Sequence, residues 1–217
     1  MKADLHVHTC YSEDGHTTIE QLIETAKQKG IGCIAVTDHN SFDAYAELKD
    51  CKDIIFIPAE EVSSKGGHIV ALGIDRYIEK GLPIKDTIDR IHEAGGIAIV
   101  AHPYRMWNGI GPKNIVPEFD GIEAMNARSN PRDNRRSNIL ARDFGKIITA
   151  GSDAHIPRKI GEGVTIIPDD CETWQDVIQA LKDGKVDVQS VSRTLFGTWK
   201  WGLTTFFKWA FRGFRNM

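Results

Sequence analysis

Short apolar runs alternate with helix-patterned stretches along almost the whole chain, and this alternation restricts the fold more than any other feature. Runs at 2–7, 31–36, 54–57, 68–73, 97–100, 121–125, 146–149 and 186–189 read as strands. Helix patterns lie between them at 17–29, 42–48, 83–94, 131–144 and 172–182. Thr17 and Glu20 have the spacing of a capping box for the first helix, and Gly30 stops it. Pro83 suits the first turn of the third helix, and Gly95-Gly96 ends it. Strands alternating with helices of about ten to fifteen residues predict βαβ units and a parallel sheet. No Gly/Pro/Ser linker divides the chain, so the pattern predicts one α/β barrel-like domain rather than two lobes.

Composition removes several function classes. The formal net charge is -3, which argues against a protein that coats nucleic acid, although a local basic patch is compatible with it. No stretch reaches about 18 consecutive apolar residues, so nothing reads as a membrane span. Asp4 and His6 stand where a signal peptide needs apolar residues, and the expected location is the cytoplasm. Cys10, Cys33, Cys51 and Cys171 form no CxxC pair and read as buried thiols of a reducing compartment rather than a disulfide framework or a zinc-thiolate site.

The placement of His, Asp and Glu carries the chemistry. The first strand ends in Asp4-Leu5-His6-Val7-His8, and the period of two puts both imidazoles on one side. Later strand ends carry Thr37-Asp38-His39, Pro58-Ala59-Glu60-Glu61, Gly67-His68, Ala101-His102-Pro103 and Gly151-Ser152-Asp153-Ala154-His155. Carboxyl ends of barrel strands are where α/β barrels build their sites. A single HxH or HP pair is ordinarily a half-buried or loop histidine. Six such strand ends in succession have no shared structural cause, and together they predict a metal cluster. His16 and His92 fall outside the pattern and read as surface residues.

In these segments the sequence resembles the PHP (polymerase and histidinol phosphatase) metal-dependent phosphoesterases. The motifs are DLHVHT at 4–9, an SxDG-like turn at 12–15, TDH at 37–39, PAEE at 58–61, GHIVALG at 67–73, AHP at 101–103 and GSDAH at 151–155, within a resemblance spanning roughly 1–190. The resemblance implies a distorted (β/α)7 barrel holding two or three divalent ions: Mn, Fe or Zn. It implies that His6, His8, Glu61 and Asp153 hold one ion, that Glu61 bridges to a second held by His68 and His102, and that Asp14, His39 and His155 hold a third. The first turn has two residues between Ser12 and Gly15 where the family usually has one, so Glu13 rivals Asp14. Glu60 likewise rivals Glu61, because alternation lets only one of them face the metals.

Divalent ions about 3.5–4 Å apart clamp phosphate oxygens and make hydroxide available near neutral pH. Mixed imidazole and carboxylate ligands suit Mn, Fe and Zn. Asp153 and His155 are the expected catalytic ligands, and Asp38 is the expected partner fixing the His39 tautomer. Arg128 is the first candidate for a substrate clamp, with Asn126 beside it and Arg105 a second candidate, since guanidinium forks bind phosphate bidentately. Arg132, Arg135 and Arg136 read as a solvated helix face. The expected activity is hydrolysis of a phosphate ester: a nucleotide, a nucleoside bisphosphate or a sugar phosphate. The alternatives are an exonuclease or RNA-processing phosphodiesterase of the same fold, acting on single-stranded nucleic acid, and a metal-binding module without turnover.

The expected catalytic domain spans 1–192. Beyond it, 193–217 holds five basic residues, no acidic one and eight aromatics. On a helical wheel Phe196, Trp199, Leu203, Phe206, Phe207 and Phe214 share one face, and Lys200, Lys208, Arg212 and Arg215 gather on another. This tail reads as an amphipathic helix that packs on the barrel, forms a homo-oligomer or lies on an anionic membrane.

Overall fold

The computed structural model describes residues 1–190; the tail, its expected helix and the boundary expected at 192 lie outside the described residues. The elements run β1 (Lys2–Val7), α1 (Ile19–Lys29), β2 (Ile31–Val36), α2 (Tyr45–Leu48), β3 (Ile55–Ile57), β4 (Ala59–Ser64), β5 (Gly67–Leu72) and α3 (Ile84–Glu93). They continue as β6 (Ile97–Val100), β7 (Gly121–Asn126), α4 (Pro131–Asp143), β8 (Ile147–Gly151), β9 (Gly163–Ile166), α5 (Trp174–Lys182) and β10 (Asp187–Ser190). The first helix begins one residue later than the sequence pattern suggests. Thr18 and Gln21 form the capping box, while Thr17 is buried and its carbonyl accepts from Cys10 N–H. Gly30 ends the helix at φ 64, where a residue with a Cβ would be strained.

Two five-stranded sheets result, ordered β10-β9-β1-β2-β3 and β4-β5-β6-β7-β8. β1, β2 and β3 are parallel, as are β6, β7 and β8. The expectation of a parallel sheet fails elsewhere: β4, β5 and β6 are antiparallel neighbours, and β1, β9 and β10 also alternate in direction. The turn at 65–66 is too short for a parallel crossover, which needs about a dozen residues. β4 and β9 escape the sequence pattern. Pro58 and the polar residues of 59–64 disguise β4 as a turn, and β9 is only four residues long.

The sheets meet without a continuous ladder, so hydrogen bonding does not close the expected barrel. Single bridges join His39 to Glu61 and Val7 to Ala154. Between β8 and β9 a side chain replaces the ladder: the Thr165 hydroxyl accepts from Ala150 N–H at 2.9 Å and donates to Ala150 O at 3.1 Å. Between the sheets lies a core that includes Leu5, Ala35, Ile57, Val70, Leu72, Ile97 and Ile99, which α5 joins through Val177, Ile178 and Leu181. Burying each large aliphatic side chain contributes about 1.5–3 kcal/mol. A second cluster joins α3 residues Ile88 and Ile91 to Val62, Ile69, Ala98 and Ile122, and a third joins α1 residues Leu22 and Ala26 to β2. Among the described residues no helix is long and apolar enough to cross a membrane.

Candidate metal centre

Glu61 is the hub of the site. Its carboxylate is 1% exposed, and five imidazoles from four segments converge on it. Oε1 lies 2.9 Å from both His68 Nδ1 and His102 Nε2. Oε2 lies 3.2 Å from His6 Nε2, 3.3 Å from His8 Nε2 and 3.2 Å from His39 Nδ1. His155 completes a chain of six rings, its centroid 4.2 Å from that of His8. Asp14 reaches His155 Nε2 at 2.9 Å and His39 Nε2 at 3.8 Å, whereas its rival Glu13 is exposed. Alternation along β4 separates the other pair, turning Glu61 towards the imidazoles. Glu60 faces away from the imidazoles, and one of its oxygens accepts from Ile78 N–H at 2.9 Å. His68 sits at the amino end of β5, not at a strand's carboxyl end as the pattern suggested. β5 runs opposite to its neighbours, so its start shares their site-facing side.

The backbone bends to deliver these groups. Among the described residues three non-glycine residues have positive φ: Asn40 at 50°, His102 at 28° and Asp153 at 51°. Two are proposed ligands and the third follows His39, so strain gathers where side chains must be aimed inward. Gly151 lets β8 pass β1 at the site, since a Cβ there would stand 2.2 Å from the His6 Cβ. Gly15 closes the turn that returns Asp14 to the cluster, where a Cβ would overlap Thr9 O.

The donor set fits divalent cations. His6 Nε2, His8 Nε2, His39 Nδ1, His102 Nδ1 and Asp14 Oδ1 are buried without a hydrogen-bond partner. Such atoms are costly unless something satisfies them. Four triads, His8/His39/His155, His6/His8/Glu61, His6/His102/Asp153 and His39/Glu61/His68, keep their ligand atoms within 4.8 Å of one another. Burial pushes His39 and His102 down to about 3, which leaves neutral imidazoles. Burial also opposes charge on His6 and His8, yet surrounding carboxylates raise His6 well above its usual value and His8 to about 9. Burial works against ionised Glu61 too, but the facing imidazoles hold its carboxyl well below the usual range. The cluster therefore stabilises positive charge at its centre, and a divalent ion held there would take the place of protons.

Two guanidiniums close the mouth. Arg105 Nη2 lies 2.6 Å from Asp153 Oδ2, and Arg128 Nη1 lies 2.9 Å from Asp153 Oδ1. Although burial opposes the charge on Asp153, Arg128 and Arg105 hold its carboxyl well below the usual range. Arg128 Nη1 also approaches His155 Nε2 at 2.8 Å. Arg136 is used elsewhere, stacked 3.9 Å above the Tyr104 ring.

Residues 4–107 match the family model described as PHP domain, and residues 131–186 match the one described as PHP-associated. The chain is 35% identical over 141 residues to the uncharacterized protein MJ1587 of Methanocaldococcus jannaschii, covering 58% of this chain and 82% of that protein. The chain belongs to the PHP family. It is 25% identical to the probable phosphatase YcdX of Escherichia coli, over 73% of its own length and 80% of that protein. Its fold matches a two-domain Bacteroides vulgatus protein described as containing a predicted PHP-like metal-dependent phosphoesterase, with TM-score 0.70 and 18% identity. That match covers 88% of this chain and 64% of the two-domain protein. PHP proteins are metal-dependent phosphoesterases, and this chain is an enzyme of that kind.

Behind the PHP cluster lies a layer of polar groups that sequence reasoning placed differently or missed. Asp38 does not touch the His39 ring. Its carboxylate accepts from Thr9 N–H and Thr9 Oγ1, both at 2.6 Å, and from Ser12 Oγ at 2.9 Å. With its proton given to Asp38, Ser12 Oγ accepts from His39 N–H at 2.8 Å and lies 3.2 Å from His8 Nδ1. Asp38 thus acts on His8 through Ser12. Asn126, expected against substrate, has its amide engaged by the protein: Oδ1 accepts from the Arg105 guanidinium and from Arg128 N–H, and Nδ2 donates to Glu123 and Asp153. Asp4 is fully buried and accepts from Ser152 N–H and Gly161 N–H, with burial raising its pKa to about 6. Asp4 lies within the DLHVHT motif, but nothing in that motif shows that its carboxylate ties down the GSDAH turn. Glu123 was missed altogether; the one available signal was a carboxylate inside a strand flanked by Ile122 and Ala124.

Proposed function

We propose that this PHP chain hydrolyses small phosphate esters, with a nucleotide, nucleoside bisphosphate or sugar phosphate as substrate. The observation that carries the reading is the buried Glu61 carboxylate encircled by five imidazoles, four of which keep one buried ring nitrogen without a hydrogen-bond partner: His6 Nε2, His8 Nε2, His39 Nδ1 and His102 Nδ1. His6, His8, Glu61 and Asp153 would hold one divalent ion; Glu61, His68 and His102 a second; Asp14, His39 and His155 a third. Bound Mn, Fe or Zn supplies Lewis-acid polarisation of the phosphate and an acidified water. Arg128 and Arg105 orient the substrate by turning their forks from Asp153 to the phosphate oxygens. Asn126 braces the Arg105 side chain and the Arg128 backbone, and Asp153 and His155 serve the reaction as metal ligands facing the arginines. The two sheets are read as an opened (β/α)7 barrel, 1–192 as the catalytic unit, and the cytoplasm as its location.

The test is turnover of a chromogenic phosphomonoester and a chromogenic phosphodiester with Mn, by the wild type and by the double variant His6→Ala/His8→Ala. Activity that vanishes in the double variant supports the reading. Full activity in that variant, or none in a metal-replete wild type, overturns it.

A further inference from the structure

We infer that Glu123 on β7 is a positioning residue for the metal centre, fixing His6 and His102 together so that a divalent ion meets them as one preset pair. The inference rests on the reading of the cluster as a metal centre. Glu123 is 3% exposed and touches two proposed ligands from two different strand ends. Its Oε1 lies 2.9 Å from His6 Nδ1, and its Oε2 accepts from His102 N–H at 2.8 Å. Asn126 Nδ2 donates to both oxygens, at 3.1 and 3.0 Å, and also reaches Asp153 Oδ2 at 3.1 Å. Glu123 and its amide partner therefore wire together His6, His102 and Asp153, one of the triads whose ligand atoms already converge.

The chemistry of each contact points the same way. When an imidazole gives its Nδ1–H to a carboxylate, the remaining lone pair is on Nε2, and His6 Nε2 is the buried atom without a hydrogen-bond partner that faces Glu61. His102 holds a left-handed backbone at φ 28°, and its N–H bond to Glu123 anchors that bend. Three donor groups share one side chain: His6 Nδ1–H, His102 N–H and the Asn126 amide. A carboxylate offers two accepting oxygens. Glutamine of the same shape offers one, and its own NH2 would face a donor.

The experiment is a titration of the metal-free protein with Zn, read by equilibrium dialysis and elemental analysis, for the wild type, Glu123→Gln and Glu60→Gln. Glu60 is also a buried glutamate of a neighbouring layer but faces away from the imidazoles, so its variant reports the loss of a buried carboxylate alone. Glu123→Gln is expected to weaken at least one ion by about 10–100-fold, the range for an outer partner of a ligand, while Glu60→Gln binds as the wild type does. On the Zn-loaded, 15N-labelled wild type, His6 is expected to carry its proton on Nδ1, protected from exchange, and Glu123→Gln to lose that protection. Unchanged affinity together with unchanged protection would overturn the inference. If Glu123→Gln does not fold, the wild-type spectrum decides alone, because a His6 that binds Zn through Nδ1 also overturns it. A wild type that binds no divalent ion removes the metal-centre reading and this inference with it, an outcome visible before any variant is made.

Discussion

The two ends of the imidazole cluster are built differently. At the inner end His6, His102, Glu61 and Asp153 are at most 2% exposed, and Glu123, Asn126 and Asp4 brace them from behind. At the outer end the side chains of His155, His39 and Asp14 are 12%, 21% and 43% exposed and sit on loops. Burial at the inner end strengthens every electrostatic contact and makes an unpaired group costly. The outer end keeps water close, and ligand exchange there needs no unfolding. On the proposed reading the first region would supply affinity for metal and the second access to it.

Removing Glu61, the hub of the inner end that also touches His39 of the outer one, gives the largest effect. Glu61→Gln is expected to leave less than one bound ion per chain by elemental analysis and to lower turnover by more than about 100-fold, beyond what an outer partner supplies. A variant that keeps two ions would dissolve the distinction, since the inner end would then hold metal without its central carboxylate. Asp153→Asn comes next. Asn tolerates the left-handed backbone at this position, so the chain is expected to melt within a few degrees of the wild type while turnover collapses. Near wild-type turnover with metals replete would remove Asp153 from the inner end.

The mouth sharpens the contrast through its arginines. Arg128→Ala is expected to raise KM by roughly ten- to a hundredfold, as the loss of a charge-assisted phosphate contact worth about 1.5–3 kcal/mol implies. Arg136→Ala, which loses the stack on Tyr104 and a half-exposed pair with Asp133, is expected to change KM far less. Equal effects would misplace the clamp. Chelation tests exchange directly: metal content followed during dialysis against a chelator is expected to fall in two phases, the outer ion first. A single phase would mean that exposure does not govern release.

The smallest effect is expected on the far side of β4. Burial raises the Glu60 carboxyl to about 8, well above its ordinary 4.5. A raised acid favours the protonated fold, so this contribution to stability is complete below about pH 4.5 and is lost as pH climbs towards 8. Glu60→Gln keeps an acceptor for Ile78 N–H without the charge. Its melting temperature is expected to exceed that of the wild type at pH 8 and to match it near pH 5. No difference between the two pH values would mean that Glu60 stays ionised and satisfied.

What the sequence determined by itself was whatever depends on residue type and short-range spacing. The strand–helix alternation, the HxH pair on β1 and the order of ligand-bearing motifs follow from periods of 2 and 3.6 along one chain, and so they were legible without coordinates. The capping box of α1 was misplaced by one residue because Thr17 and Thr18 offer the same chemistry locally, and only the burial of Thr17 separates them. Long-range placement decided the rest. Glu61 rather than Glu60 faces the imidazoles because β4 pairs with β5 in one register; Asp38 turns to Ser12 because residues 9–15 fold back over it; Glu123 meets His6 across 117 residues of chain. A buried carboxylate chooses its partners by where the sheets bring them, and no periodicity along the chain encodes that distance.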